Sequence, residues 1–315
     1  MFKIRINSLI MRFIYSPVVN LFLNLYKKKS YKKDKFLTKL KFLPDYKYNF
    51  GHHKSLVEWQ NNLNEIKKNL LKKDWKQFLT WKVINNTMFY NDSLATNVEL
   101  MYLNSSGFIK KYGESAIHEN SIGSPTYSSY ARRSSSNLIH HAYHLSIFEN
   151  ISNKRILDHK TIVEFGGGYG SMCRLVYQMG FKGKYIIYDF EHFNLIQNYF
   201  LSSLDLKLKI KMGSSAFQLK TNKCVYLTSD IKFLKKILNK DDNRLFLSTW
   251  GFSESPIYIR ELFKNIINSS NSVLFAFQKN FNEINNLQYF KNNFNKKNNY
   301  VRKIKHIKNN FYLVR

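Results

Sequence analysis

Three glycines that follow a short apolar run are the first residues in this chain that could form a chemical site. Residues 161–170 read TIVEFGGGYG, so Gly166, Gly168 and Gly170 come directly after an apolar strand candidate. Glycine lets a ligand approach the backbone closely, and the helical pattern SMCRLVYQMG that follows would present backbone N–H groups at the same point. The stretch therefore predicts a turn that binds a ligand against bare backbone.

Two classes of ligand use such a turn: dinucleotides and S-adenosylmethionine. A dinucleotide fingerprint has a third glycine or alanine after two intervening residues. Counted from Gly166 and Gly168, that position holds Ser171. The spacing therefore disfavours a dinucleotide, and a nicotinamide-dependent oxidoreductase is the weakest functional alternative.

The segment from Glu164 to Gly170 resembles motif I of the class I S-adenosylmethionine-dependent methyltransferases, an acid followed by glycines at alternate positions. The resemblance implies that Glu164 and the glycines contact the cofactor. It also implies that Asp189, in IIYDF, binds the two ribose hydroxyls, and that Asp230, in LTSDI, receives the adenine amino group. A carboxylate suits two donors because it accepts at both oxygens. As alternatives, Glu164 only organises the loop and Asp230 caps the helix that follows it. Asp189 could also cap the helix that follows it, which is compatible with ribose binding.

The elements around these residues follow from hydrophobic periodicity, which changes near residue 158. Before it, apolar residues recur at three- and four-residue intervals and predict helices; the clearest set is Leu56, Trp59, Leu63, Ile66, Leu70 and Leu71. After it come seven short apolar strand candidates: TIVEF, KYIIYDF, KCVYLTS, NRLFLSTW, SVLFAFQ, YVRKIKHI and NNFYLVR. Intervening stretches long enough for helices separate the first five, which favours a mostly parallel sheet, and the last two suggest a closing hairpin.

We therefore predict an α/β fold: a Rossmann-like class I methyltransferase domain with a seven-stranded, mostly parallel sheet, helices on both faces and an antiparallel C-terminal strand. Three parts are expected. Residues 1–54 form a basic, partly apolar N-terminal segment, residues 55–157 a helical region and substrate lid, and residues 158–315 the S-adenosylmethionine-binding domain.

Residues 248–256, STWGFSESP, resemble a bacterial family of sugar O-methyltransferases, as do VEFGGGYGSM, IIYDF, ENSIGSPTY and KHIKNNFYLVR. The resemblance covers roughly the last two hundred residues. It departs at Phe190-Glu191-His192, where that family has a proline after the apolar residue. It implies methylation of a sugar hydroxyl, as in surface polysaccharide biosynthesis. The same stretch lacks the proline-rich motif of adenine or amide methyltransferases, and no cysteine is placed as cytosine-C5 enzymes require.

A sugar hydroxyl needs a general base within hydrogen-bond reach, or a metal that lowers its pKa. Glu254 is the first candidate base. His192 and the histidines of NLIHHAYH (His140, His141 and His144) are weaker candidates, and no metal is predicted because no carboxylate accompanies those histidines in their helix. Trp250, Ser253 and Arg132 are candidate substrate contacts, since an indole stacks on a sugar face and an arginine pairs with phosphate or carboxylate.

The net charge of +29 comes from 50 Lys and Arg against 21 Asp and Glu. Lysine shares A/T-rich codons with the equally abundant asparagine, which explains much of the excess, but an RNA methyltransferase that uses this charge stays an alternative.

Cys173 and Cys224 form neither a metal-ligand spacing nor a disulfide framework, which favours the cytoplasm. The apolar stretch 7–26 and the lysines after it predict peripheral contact of residues 7–33 with the inner membrane face, or helices that pack on the protein.

Overall fold

The computed structural model describes residues 54–72, 75–90, 92–131, 133–213, 223–238, 243–294 and 298–315. The predicted membrane contact of residues 7–33 and the predicted substrate contact of Arg132 lie outside the described residues. In the described part of the chain, no helix has both the length and the hydropathy needed to cross a bilayer.

Helices occupy the described chain up to residue 158, as the three- and four-residue periodicity predicts. They are α1 (Lys54–Lys72), α2 (Lys82–Met88), α3 (Ser93–Ser105), α4 (Phe108–Tyr112) and α5 (Ser136–Ser152). Short 3₁₀ turns at Trp75–Thr80, Glu114–Ile117 and Ile156–Asp158 connect them.

Side-chain caps explain where two of these helices begin, and an apolar face explains which side of α1 is buried. The Asp92 carboxylate accepts from the N–H of Ala95 at the start of α3, and the Ser135 hydroxyl does the same for Leu138 at the start of α5. On α1 the predicted face is buried at Leu63, Ile66 and Leu70, whereas Leu71 is exposed because it lies one position past that face.

The second half of the described chain alternates strands and helices. The strands are β1 (Thr161–Phe165), β2 (Lys184–Tyr188), β3 (Lys209–Met212), β4 (Cys224–Thr228), β5 (Arg244–Thr249), β6 (Ser272–Gln278), β7 (Asn280–Phe281), β8 (Ile284–Asn285), β9 (Tyr300–Lys303) and β10 (Asn310–Val314). The helices are α6 (Ser171–Gln178), α7 (Glu191–Ser203), α8 (Ile231–Ile237), α9 (Gly251–Glu254), α10 (Ile257–Ser269) and α11 (Asn286–Asn293).

Eight of these strands form one sheet in the order β3-β4-β2-β1-β5-β6-β10-β9. The pairs from β3 to β6 are parallel, and β10 runs antiparallel to both β6 and β9. This is the Rossmann-like arrangement of class I methyltransferases, so the predicted fold class is confirmed. The sheet has one strand more than the seven expected, because β3 adds to its edge; its sequence KIKM carries lysines and lacks the apolar run that marks the other strands.

The order of the strands places a crevice beside β1. Since β1 pairs with β2 on one side and β5 on the other, the chain leaves the centre of the sheet in opposite directions at this point. Ligands of open parallel sheets bind at such a switch point, beyond the carboxyl ends of the strands. The glycine turn, Asp189 and Trp250 all follow these strand ends.

A cluster of phenylalanines packs α9, α10 and α11 onto one face of the sheet and so fixes the residues after β5. The ring of Phe263 on α10 lies edge-on to Phe165 of β1, with centroids 4.9 Å apart, and contacts Phe246 and Phe252. Phe263 is fully buried. The cluster therefore packs α10 against β1, β5 and α9, the elements whose ends border the crevice.

We expect Phe263→Ala to lower the free energy of unfolding by about 3–5 kcal/mol, because it leaves a cavity in this cluster. Leu262→Ala is the matched control, since its side chain on the same helix is 41% exposed and its loss should cost about 1 kcal/mol or less. Urea unfolding followed by circular dichroism measures both. Equal losses for the two variants would contradict the packing role of Phe263.

Candidate functional site

A cavity of about 550 Å³ lies at the switch point. Its floor is the glycine turn after β1, the end of β2 and the start of α9. Its walls come from α1, α5 and the segment Thr87–Tyr90 at the end of α2. The helices before residue 158 therefore supply part of the cavity wall, and their role as a substrate lid stays a prediction.

The glycine turn has a backbone that other residues would not adopt without strain. Gly166, Gly168 and Gly170 have φ angles of 75°, 56° and 96°, in the left-handed region that glycine tolerates. A Cβ on Gly167 would lie 2.6 Å from the Ile187 side chain. The glycines therefore bring bare backbone to the wall of the cavity, and all three predicted cofactor positions lie in or directly beside it.

Glu164, the penultimate residue of β1, lines the cavity and is almost fully buried. The Tyr185 hydroxyl donates to its Oε2 at 2.9 Å. Burial raises the pKa of Glu164 to about 8, which outweighs the opposing effect of that hydrogen bond. Near neutral pH the side chain is therefore a neutral acid with one face on the ligand site.

Asp189 connects the end of β2 to the glycine turn. Its Oδ2 accepts from the N–H of Gly168 at 3.1 Å and from Nε2 of Gln197 at 3.0 Å, and its Oδ1 accepts from the N–H of Phe190 at 2.8 Å. Burial raises its pKa to about 7 although these hydrogen bonds lower it. The capping alternative is wrong for this residue, because α7 begins after Phe190 and the Asp189 carboxylate reaches across to the turn.

Asp230 is exposed and its carboxylate caps α8, where Oδ1 accepts from the N–H of Lys232 at 2.8 Å. The capping alternative is thus confirmed here. At this strand end it is Ser229 that lines the cavity. The adenine contact of Asp230 stays a prediction, and Ser229 is the neighbouring residue that sequence reasoning missed.

The segment after β5 brings two predicted residues to the cavity. Trp250 has a φ of 63°, and its indole N–H donates to Asn310 Oδ1 at 2.8 Å, so β10 fixes the ring. Glu254 follows one turn later in the cavity wall, and burial raises its pKa to about 7. Its closest hydrogen-bond partner is Gln278, at 3.5 Å.

Two other predicted residues do not reach the cavity. Ser253 is buried on the opposite side of its helical turn, where its hydroxyl lies 2.7 Å from Gln278 Oε1 and 2.7 Å from the Trp250 carbonyl oxygen. His192 is buried on α7, and burial together with Lys67 lowers its pKa to about 4. Neither residue lines the cavity, so the substrate contact of Ser253 and the base role of His192 gain no support from this site and stay predictions.

A buried carboxylate from α3 was missed by sequence reasoning. Glu99 Oε1 lies 2.6 Å from His140 Nδ1 and 2.8 Å from His306 Nε2. Glu99 lies 41 residues before His140, on a different helix, so no local pattern in the sequence links the two residues. In the described residues, no group of three such side chains is arranged to hold a metal ion.

Aromatic rings form much of the cavity wall. The His140 ring stacks on Tyr90, with centroids 3.9 Å apart, and on Trp250, at 5.2 Å. Phe89 stacks on Tyr169 of the glycine turn, at 5.8 Å. Ring contacts therefore join the helical wall of the cavity to its floor.

No family model matches this chain, and no curated protein matches it. Among solved structures, magnesium protoporphyrin IX methyltransferase from Synechocystis PCC 6803 with bound SAM aligns over 72% of this chain and 98% of its own, with 11% identity and a TM-score of 0.38. Mitomycin 7-O-methyltransferase covers 96% and 98%, with 9% identity and a TM-score of 0.35. An rRNA methylase from Escherichia coli covers 90% and 99%, with 12% identity and a TM-score of 0.37. Similarity at this level identifies no acceptor, and the fold is assigned from the strand order.

The raised pKa of Glu164 predicts how stability changes with pH in the ligand-free protein. The unfolded carboxyl ionises near its ordinary value of 4.5, whereas the folded one keeps its proton up to about pH 8. In that window this carboxyl binds more protons in the folded state, so its own contribution to stability falls as pH rises. Buried histidines with lowered pKa values contribute in the opposite direction, since their unfolded rings are still partly protonated up to about pH 7.5. The effect of Glu164 is therefore the difference between the wild type and a variant at this position.

We therefore expect the slope of unfolding free energy against pH, between about pH 6.5 and 7.5, to be more positive in Glu164→Gln than in the wild type by about 1 kcal/mol per pH unit. Urea unfolding at closely spaced pH values measures the slope. Glu114→Gln, at an exposed position, is the control and should leave the slope unchanged. An unchanged slope in Glu164→Gln would show that Glu164 is ionised in the folded protein.

Proposed function

We propose that this chain is an S-adenosylmethionine-dependent methyltransferase that acts on a hydroxyl of a sugar or glycan precursor. The observation that carries the proposal is the Asp189 carboxylate, held against the N–H of Gly168 at the cavity between the ends of β1 and β2. This is where an open parallel sheet binds its ligand.

The residues present fit the nucleoside part of this cofactor. The Asp189 carboxylate already accepts hydrogen bonds from Gly168, Gln197 and Phe190, and a carboxylate has about four acceptor sites, so Oδ1 keeps capacity for one ribose hydroxyl donor. The glycines with positive φ expose backbone to the remainder of the ligand. Ser229 lines the cavity at the end of β4, where the adenine would lie, and Asp230 follows it at the start of α8. Glu164 would lie next to Gly167 of the turn, at the edge of the bound cofactor.

An aromatic cavity with helical walls supports a small acceptor over RNA. The rings of Trp59, Tyr90 and Trp250 line it, and helices cover it. Aromatic faces pack well against the C–H faces of a sugar ring, whereas an RNA backbone is bound in an open basic groove. On this proposal, the net charge of +29 takes no direct part in acceptor binding.

When bound, the sulfonium cofactor supplies an electrophilic methyl group. The chain's own task is to align the acceptor oxygen and remove its proton. We assign the proton to the Glu254 carboxylate, which lines the cavity and has a pKa of about 7, close to the ideal for a base that works at neutral pH. Gln278 holds one of its oxygens.

Arg260 keeps Glu254 in place. Its guanidinium is fully buried and donates to the carbonyl oxygens of Ser253, at 2.6 Å, and Ser255, at 2.8 Å, on either side of Glu254. Asn286 accepts a third hydrogen bond from it. Hydrogen bonds from Arg260 therefore fix the backbone on both sides of the proposed base.

We expect S-adenosylhomocysteine to bind with micromolar affinity and Asp189→Ala to lose at least about tenfold, because one carboxylate and its hydrogen bonds to the turn are removed. Isothermal titration calorimetry measures both. Asp158→Ala, at an exposed aspartate, is the control and should bind like the wild type. No binding by folded wild-type protein would contradict the cofactor assignment.

We expect Glu254→Gln to lower kcat about a hundredfold or more, the size of a general-base contribution, with an unchanged affinity for S-adenosylhomocysteine. In the wild type, kcat/KM should rise with pH through about 7 as the carboxylate forms, and this limb should vanish in the variant. S-adenosylhomocysteine formation with a sugar that the wild type accepts measures both. Glu261→Gln on exposed α10 surface is the control. A variant that keeps the limb would show that another group takes the proton.

A further inference from the structure

The polar residues of the cavity's helical wall lie on one face of α5. Asn137, His140 and His141 all line the cavity, and their spacing of three and four residues is that of neighbours on a helix surface. In a cavity otherwise rich in aromatic rings, a few fixed polar groups decide which ligand binds and in which orientation. The role proposed above for Glu254 leaves these three side chains without a function.

Two aromatic rings stack on His140, and a carboxylate lies at one edge of its ring. Tyr90 and Trp250 stack on it, with interplanar angles of 13° and 23°. Glu99 Oε1 lies 2.6 Å from Nδ1, and the same oxygen is 2.8 Å from His306 Nε2. A carboxylate oxygen can accept from both rings, and this assignment places the His140 proton on Nδ1.

The opposite edge of the ring carries a buried nitrogen that has no partner. Nε2 of His140 has no hydrogen-bond partner among the described residues, and neither has Nδ1 of His141. A buried polar atom left in this state costs about 1–3 kcal/mol, and such atoms in native proteins call for an explanation. A ligand group that donates a hydrogen bond would remove the cost.

The chemistry of the nitrogen specifies the ligand group. With the proton on Nδ1, Nε2 carries a lone pair and accepts a hydrogen bond. Burial keeps the ring neutral, since it lowers the pKa of His140 to about 3, so the ring does not attract phosphate or carboxylate. A neutral hydroxyl donor fits this nitrogen.

We propose that His140 Nε2 accepts a hydrogen bond from a second hydroxyl of the acceptor, so that the substrate class is a polyol whose methylated hydroxyl faces Glu254 while another is bound by α5. This inference rests on the proposed function. Glu99 is then a positioning residue that fixes the tautomer and orientation of His140, with His306 behind it.

The test compares three substitutions that remove different parts of the ring. Asn and Gln carry amide groups near the positions of Nδ1 and Nε2, respectively, and Phe retains only the stacking. His144→Phe is the matched control, because His144 is equally buried on α5 but does not line the cavity and holds the Tyr312 hydroxyl at 2.6 Å instead.

The probes are methyl pyranosides and nucleoside diphosphate sugars as polyols and cyclohexanol as a single hydroxyl. With the polyol that the wild type methylates best, we expect His140→Asn and His140→Phe to raise KM about fivefold to tenfold, the loss of one neutral hydrogen bond. His140→Gln should show a smaller rise in KM than these two variants. In all three His140 variants, kcat and the affinity for S-adenosylhomocysteine should stay near the wild-type values. Cyclohexanol should be a poor acceptor for every variant.

Four outcomes would overturn the inference. They are an unchanged KM in both His140→Asn and His140→Phe, an equal rise in His144→Phe, a fall in kcat without a change in KM, and a wild type that methylates cyclohexanol as well as it methylates the sugars. Failure of the proposed function is distinct, since the wild type would then either not bind S-adenosylhomocysteine or bind it and methylate none of the sugars.

Discussion

The hydrogen bonds of the Asp189 carboxylate are the interaction on which the candidate site depends. They join the end of β2, the glycine turn after β1 and the start of α7 at one buried point. A flexible run of glycines would otherwise have many conformations, and the three-way contact selects one of them. The same carboxylate faces the cavity, so the group that shapes the turn is also available to a ligand.

Packing beneath the sheet supplies the second constraint. Gly251 stands opposite Gly166, where a Cβ on either residue would lie 3.3 Å from the other's Cα, so the segment after β5 sits directly against the glycine turn. Phe252, one residue later, is fully buried in the phenylalanine cluster. Because the cluster fixes this short helix, Trp250 and Glu254 on its two ends are presented to the cavity together.

Burial also governs the charge state of the cavity. Glu164, Asp189 and Glu254 all have raised pKa values, and His140 and His141 have lowered ones, in each case chiefly because burial disfavours the charged form. The ligand-free site is thus close to neutral although the chain as a whole is strongly basic. A cation that enters this cavity would favour ionisation of the carboxylates, which is the electrostatic setting a sulfonium ligand requires.

The sequence alone determined the central strands, the glycine turn and the position of Asp189 at a strand end, because each depends on a local pattern: apolar runs, consecutive glycines and an acid at the end of an apolar run. It missed β3, since an edge strand needs few apolar residues and KIKM has alternating lysines. It could not decide whether Ser253 and His192 reach the acceptor, because proximity in sequence to Glu254 and Asp189 does not fix the direction of a side chain within a helical turn. Only the tertiary structure brought Glu99, His140 and His306 together, since contacts across 41 and 207 residues depend on how helices pack and leave no local signal.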